Sequence, residues 1–488
     1  MARVLAIDIG TSSIRATLYG RALQPLRRGA QVRYRWRAAL DGSVEAPAGA
    51  IERALASAID SALDGTDAPV DAVAIAAFWH SLVGVDARGR AVTAVLPWTD
   101  TRSAGEVDPL RDGLDERAAH ARTGCRFHSS YWPARLRWFR RRDVKTFRRV
   151  HRWMSLPAYV ERQWLGRDAE SRSQASGTGM FVHESGSWDG ALCEACGVSP
   201  RQLGAIVDLD DAAAEPSAAI ARRWPQLRGA RWIPSAGDGA VNDLGAGCTM
   251  GGRTAIMIGT SGALRQLWTT DTSPAVSFGL WRYWLDRSRV VVGGALSNGG
   301  NLIAWLNQRL NVQPGARMEA RLARMPPDAH RLTVLPFLAG ERSPDYLPDA
   351  RAAIVGLKLA TTGDDIVRAG LEAVAYRFLA VMEELTAITR VTRLVATGTA
   401  LASSRVWPQI LADTLDRPIA LPRDGELTSR GAAILGFEQL GFAKDLARWA
   451  EPSVARVFHP DTKRHAAYRA AAERQERLLK TLHDTSLC

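Results

Sequence analysis

The chain has 488 residues, of which 46% are hydrophobic, and a formal net charge of +12. Its length allows about three domains of ordinary size, and no apolar run approaches the ~18 residues of a membrane span. Only five of its 63 basic residues are Lys and the Arg are scattered, so the charge reads as compositional bias rather than a nucleic-acid surface. The five cysteines (Cys125, Cys193, Cys196, Cys248, Cys488) are an odd, dispersed set, as expected of reduced thiols in a cytoplasm. Met1-Ala2-Arg3 leads straight into apolar sequence without a signal-peptide pattern, so a cytoplasmic location is expected.

Along the chain, residues 3–9 and 14–20 read as strands, followed by a Val- and Arg-rich segment near 31–37 and a helix over 48–63. Val70 to Ala77 is a buried strand ending at Phe78-Trp79-His80, and ligands of α/β sheets sit beyond such carboxyl ends. Asp86 to Arg90 is a turn between strands, the second of which runs into Pro97-Trp98-Thr99-Asp100-Thr101-Arg102. Residues 130–165 read as helical, and their basic cluster (Arg140 to Arg142, Lys145, Arg148, Arg149, Arg152) reads as the solvated face of an amphipathic helix. Cys193-x-x-Cys196 has metal spacing but no second pair, which predicts two small core residues of a helix. Ser171 to Gly179 is a polar loop, and from Ala236 a Gly-rich segment carries Asp238. A second half opens at about Gly251, with strands at 254–259, 263–268, 289–294 and 393–396. Its helices fall at 301–310, 364–387 and 404–415.

The most informative feature is a repeat. Ala6-Ile7-Asp8-Ile9-Gly10-Thr11-Ser12-Ser13 returns as Ala255-Ile256-Met257-Ile258-Gly259-Thr260-Ser261-Gly262, identical at six of eight positions and about half a chain away. Each copy is an apolar strand entering a Gly-Thr-Ser turn, whose backbone N–H groups and hydroxyls suit phosphate oxygens. Two such turns can grip a polyphosphate from both sides, and only the first copy offers a carboxylate, Asp8, where the second has Met257. That pattern predicts ATP with Mg²⁺ held between two related halves.

With further motifs in order, the chain resembles the FGGY family of carbohydrate kinases. Asp8 to Ser13 with Arg15 resembles the family's first phosphate motif and Gly259 to Gly262 the second. Ser173 to Gly179 with Trp188-Asp189 resembles its central loop. Gly237-Asp238-Gly239 stands where the family keeps its catalytic Asp. Leu338 to Pro344 and Pro348 to Arg351 resemble the segment before its C-terminal signature, and Thr397-Gly398-Thr399 with Trp407, Gln409 and Asp413 its adenosine motif. Departures are Gly370 and Thr399, where other small residues are common, and Arg135 in place of a Lys. The resemblance implies an α/β fold of two actin-like, ribonuclease-H-like domains with a cleft between them: 1–247, sugar-binding; 248–450, nucleotide-binding; and a helical tail, 451–488.

The resemblance further implies that Asp238 is the base for a sugar hydroxyl and, with Asp8, faces Mg²⁺. Thr11, Ser12, Ser13, Arg15, Gly259, Thr260, Ser261, Gly300, Gly398 and Thr399 would hold ATP. Trp79, His80, Asp100, Arg102, Asp238 and Arg342 would hold the sugar. The implied partners are ATP and a small sugar or sugar acid, with a second copy of the chain as a candidate and no nucleic acid or membrane. Phe78 to Leu82, Trp98 to Ser103 and His128 to Ala134 look most like gluconate kinases of the family, making D-gluconate the expected substrate and a pentulose the alternative. An actin-like or heat-shock-chaperone-like ATPase, or a nucleotide-binding sugar sensor, shares the two turns but not the sugar-facing set.

Overall fold

The computed structural model describes residues 2–211, 214–249, 252–423, 425–442 and 451–485, so the expected opening at Gly251 and the Cys488 thiol lie outside the described residues. Strand β1 (Arg3–Ile9) is buried on both faces from Val4 onward, which is why it reads as one continuous apolar run. It pairs antiparallel with β2 (Ser13–Gly20), which pairs antiparallel with β3 (Ala30–Arg33). On its other side β1 runs parallel to β4 (Ala72–Ala77), which is parallel to β5 (Arg231–Trp232) and β6 (Ala236–Gly237). Helix α1 (Ala48–Leu63) makes the crossover between β3 and β4, with Ile51, Leu55, Ile59 and Leu63 on its buried stripe. A short helix α2 (Arg172–Ser176) and helix α3 (Asp238–Gly245) complete the part of this lobe that faces the cleft.

The second lobe repeats the plan. Strand β7 (Arg253–Ile258) pairs antiparallel with β8 (Gly262–Thr269), and β9 (Trp281–Trp284) and β10 (Arg289–Leu296) extend that antiparallel side. Helices α4 (Gly300–Arg309) and α5 (Gly363–Thr386) precede β11 (Arg393–Thr397), which runs parallel to β7. Helices α6 (Thr399–Ser403) and α7 (Trp407–Leu415) lead to β12 (Ile419–Pro422), parallel to β11. The order β3-β2-β1-β4-β5 thus recurs as β10-β8-β7-β11-β12 with the same directions. This is the actin-like, ribonuclease-H-like pair of α/β domains.

Helix α8 (Leu427–Phe437) belongs to the second half in sequence but packs on the first lobe, where Ala432, Ile434 and Phe437 share a core with Val4, Ala6 and Ala74. It crosses α3 at Gly245 and Gly431, where any Cβ would collide with backbone of the other helix. The expected division at 247/248 falls just beyond α3, so this crossing joins the two halves.

Most elements expected from periodicity lie within two residues of those observed. The helix expected over 404–415 begins only at Trp407, the segment near 31–37 is a strand over Ala30–Arg33, and three further expectations are corrected. Residues 130–165 are not one helical stretch: helices Trp132–Arg142 and Val144–Arg149 are separated by Asp143, which accepts from Thr146 N, and strand Arg152–Met154 precedes helix Leu156–Leu165. The polar segment 171–179 is not an exposed loop but is buried around α2, its polar groups taken by partners distant in sequence. The tail from 451 is not wholly helical, because β13 (Val454–Phe458) adds an antiparallel edge to β12 before α9 (Thr462–Asp484) packs back through Tyr468, Ala471 and Leu479. Cys193 and Cys196 are buried on helix Gly190–Cys196, and Arg140 to Arg142 are exposed.

Candidate active site

At the first hairpin, Gly10 N–H donates to Ser13 O at 3.0 Å. Tyr34 OH takes Gly10 O at 2.6 Å and Trp36 Nε1 takes Thr11 O at 2.5 Å, which fixes the turn by its carbonyls. Ser12 is exposed and Thr11 half-buried at the turn's tip. Ser13 instead points into the sheet, where its Oγ accepts from Gln31 at 2.9 Å. The second turn is one residue tighter, with Gly259 N–H on Ser261 O at 3.0 Å. Its carbonyls are taken by α4, through Gly300 N to Gly259 O at 2.9 Å and Asn301 N to Thr260 O at 3.0 Å. A side chain at Gly300 would collide with Gly259 O, so only glycine lets helix and turn meet.

Asp8 is 6% exposed, beside Arg15 at 3.3 Å. Burial first, and then the charge of Asp238, push its carboxyl up to about 7, against the pull of Arg15. Asp238 is the first residue of α3, and burial raises it too, against the pull of Arg265 and a bond from Gly239 N–H. The two carboxylates stand on different elements, close enough for the charge of Asp238 to act on Asp8. Trp79 packs against the start of α3. Its ring fits a slot that exists because residues 177, 237 and 239 are glycines; a Cβ on Gly177 or Gly239 would stand 2.6 or 2.5 Å from the indole, and one on Gly237 would overlap it. Its Nε1 donates to Ser173 O at 2.8 Å, while Ser173 Oγ accepts from Gly237 N at 2.9 Å. The buried segment 171–179 thus braces the start of α3.

Trp79, His80, Trp98, Asp238 and Arg342 line one cavity of about 210 Å³ between the lobes. His80 has φ +68, a left-handed conformation uncommon for a side-chain residue. Its Nδ1 meets Gly177 O, which can only accept, so Nδ1 carries the proton and Nε2 is left as an acceptor. Burial lowers its pKa to about 3, keeping the ring neutral near pH 7. Arg135 holds this corner together: its guanidinium donates to the carbonyls of His80, Ser129 (3.0 Å) and Pro97 (2.6 Å), a fork that a Lys could not supply. From the second lobe, Tyr283 OH meets Tyr131 OH at 2.7 Å across the cavity.

Arg342 is half-buried in this cavity. It lies 5.1 Å over the Trp98 ring, donates from Nη2 to Leu296 O at 3.2 Å, and its buried Nε has no hydrogen-bond partner. Burial lowers its pKa, and the groups that favour its charge are Tyr131, Tyr346 and Tyr283 rather than a carboxylate. Asp100 and Arg102 are placed differently from the sequence expectation. Arg102 bonds Asp100 at 2.8 Å and Glu45 at 2.9 Å, and Asp100 also accepts from Val44 N at 2.7 Å, so the pair ties a surface strand to the Trp98 segment and does not join the cavity lining.

Beyond Gly300 the second lobe has a larger groove, about 1330 Å³, walled by α4, helix Ala316–Arg324 and α6. Gly398 and Thr399 are exposed at the start of α6. Gly398 has φ +88 and lies so close to Ile258 O that no side chain fits.

Residues 3–245 match the model of the N-terminal domain of the FGGY family of carbohydrate kinases, and residues 254–440 that of the C-terminal domain. The chain belongs to this family. It is an ATP-dependent carbohydrate kinase. It is 25% identical to the gluconokinase of Bacillus subtilis strain 168 over 90% of this chain and 88% of that one. In fold it is similar to a xylulose kinase and a gluconate kinase from Lactobacillus acidophilus, with TM-scores of 0.92 and 0.91. Each is 22% identical and covers 99% of this chain, over 99% and 98% of theirs.

For a kinase of this family, the donor set suits Mg²⁺. The charge of Asp238 disfavours that of Asp8, which a divalent cation near both would offset. Among the described residues no group of three or more His, Cys, Asp or Glu is placed to hold a metal ion. Sequence reasoning missed Arg265, Tyr131, Tyr283 and Trp281 in the kinase's cavity. The Arg265 position carries no local signal, since nothing in the strand sequence sets it apart from its polar neighbour Gln266; Trp281-x-Tyr283 has a period-2 pattern that could have marked β9.

Proposed function

We infer that this kinase transfers the γ-phosphoryl of ATP to a terminal hydroxyl of a linear sugar acid, in the first instance D-gluconate to 6-phosphogluconate. The observation that carries the reading is Arg342: a half-buried guanidinium in the same cavity as Asp238, its Nε buried without a partner, satisfied by one carbonyl and an aromatic face, with no carboxylate among the groups that favour its charge. A substrate carboxylate would complete it, whereas a neutral polyol leaves its desolvation unrelieved. Arg102 is already neutralised by Asp100 and Glu45 and is not needed for this role.

In this reading Asp238 takes the proton of the acceptor hydroxyl, and His80 Nε2 accepts from a second hydroxyl, with Trp79 and Trp98 against the C–H surface. Thr11, Ser12 and Arg15 meet the transferring phosphate from one side, and Gly259, Thr260 and Ser261 from the other. Gly300, Gly398 and Thr399 border the nucleoside in the larger groove. Mg²⁺ supplies charge neutralisation on the phosphates, held by Asp8 and Asp238. The chain's own contribution is alignment of a hydroxyl with a phosphorus atom in a space closed to water.

A coupled ADP-release panel of D-gluconate, other sugar acids, xylulose, ribulose and glycerol tests the substrate. D-gluconate is expected to lead, and Arg342→Met to lower its kcat/KM by about 10²-fold while changing that of neutral polyols much less. A tenfold preference of the wild type for a neutral ketose would make this a pentulose kinase instead.

A further inference from the structure

Each hairpin sends an arginine to one of the two crossing helices that join the halves. Arg15, on β2, reaches Glu426 just before α8, Nε to Oε2 at 3.2 Å, as well as Asp8. Arg265, on β8, reaches α3: its Nε donates to Asp243 Oδ1 at 3.2 Å and its Nη2 to Asn242 Oδ1 at 3.4 Å. The two bridges differ in their surroundings. Side-chain exposure is 31% for Arg15 and 57% for Glu426, but 7% for Arg265 and 0% for Asp243. A half-exposed pair exchanges partners with an incoming phosphate at little loss, while a buried pair has no water to replace either partner and so holds its elements in one register.

Arg265 also packs beside the residue that matters most. Its Cζ and Nη1 lie 3.3 Å from where a Cβ on Gly239 would stand, and Trp79 Cζ3 lies 2.5 Å from the same point. The first turn of α3 therefore meets both an indole of the first lobe and a guanidinium of the second. Arg265 lines the sugar cavity together with Asp238 and Asn242.

We propose that Arg265 is a positioning residue for phosphoryl transfer: gripping Asp243 and Asn242, it fixes α3 across the cleft and so aims Asp238 at the acceptor hydroxyl. This rests on reading Asp238 as the base. Misplacing a reacting group by about 1 Å can cost about 10²-fold in rate, so the effect belongs in kcat rather than in ATP binding.

The test uses the full-length enzyme with saturating ATP and D-gluconate, or D-xylulose if the panel selects it. Arg265→Ala is expected to lower kcat about 30- to 100-fold with KM for ATP within about threefold, and added guanidinium ion to restore about tenfold of that loss. Asp243→Asn keeps both the arginine and the volume, and should lower kcat about tenfold; it carries the test alone if Arg265→Ala does not fold. The double variant should be no slower than Arg265→Ala, because the two side chains act as one unit. The proposal is overturned if Arg265→Ala keeps kcat within threefold, if its loss lies only in KM, or if the two substitutions are additive. Asp238→Asn, run alongside, separates the two readings. If it is nearly inactive while Arg265→Ala is at the wild-type rate, only the positioning role fails; if it retains more than a tenth of kcat, the base assignment fails.

Discussion

Asp8 faces Arg15 across the first hairpin, and at the matching place in the second Met257 faces Ala263. Strand order, direction and the Gly-Thr-Ser turn are shared, yet one hairpin presents an ion pair and the other a thioether and a methyl. On the proposed reading, backbone N–H groups hold phosphate in either lobe, which needs the turn sequence in both copies. On the same reading a cation between a base and a phosphate is needed once, and its carboxylate occurs once. A symmetric scaffold thus carries an asymmetric site, with Asp8 and Asp238 both on the first lobe and the larger groove on the second.

That division can be broken most strongly at Asp238. Asp238→Asn is expected to lower kcat by about 10²-fold or more while the Kd for ATP, measured calorimetrically, stays within a few-fold of wild type. An equal loss of ATP binding would put Asp238 on the nucleotide side and blur the contrast between lobes.

The matched pair of variants Asp8→Ala and Met257→Ala compares the hairpins directly. The first should reduce Mg²⁺-dependent turnover by about 10²-fold or more. The second should act only through packing, by about 1–2 kcal/mol of stability for a half-buried methionine with kcat nearly unchanged. Equal effects on kcat in two folded variants would sink the asymmetric reading.

A pH series sharpens the same contrast. Because the folded-state carboxyl of Asp8 is raised to about 7, the native protein without Mg²⁺ holds a proton that the unfolded chain releases above about 4. Between these values stability therefore falls as pH rises, the contribution present at low pH being lost through about 7. Asp8→Asn should stabilise the metal-free protein by about 1–2 kcal/mol at pH 8 and by almost nothing at pH 4, read as the difference in thermal midpoint; Met257→Ala should show no such dependence. The reverse slope would mean that Arg15 outweighs burial at Asp8.

The smallest effect is expected from lobe movement. Tyr131 of the first lobe and Tyr283 of the second, both lining the cavity, meet at 2.7 Å, a contact that opening of the lobes would break. Solution scattering should show a smaller radius of gyration with sugar and a non-hydrolysable ATP analogue than without them. An unchanged radius would count against closure.

Reading the chain alone exposed the repeat, the strand-turn units and the glycines around Asp238, since turn chemistry and periodicity are local properties within a dozen residues. The cysteine pair and the solvated basic helix face followed from the same kind of pattern. What the tertiary structure decided were the partners. Arg102 and Arg342 look alike in sequence, but Glu45 reaches one, while the other lies half-buried beside an indole and a backbone carbonyl. Ser171 to Gly179 reads as loop because it is polar, yet Trp79, Gly237 and Trp284 satisfy it in the interior. Strand β13 finds its sheet, and Arg265 its Asp243, only once distant segments meet. A side chain's charge and shape are written in its own residue, whereas whether that charge is neutralised, buried or left for a substrate depends on neighbours that the fold brings from elsewhere in the chain.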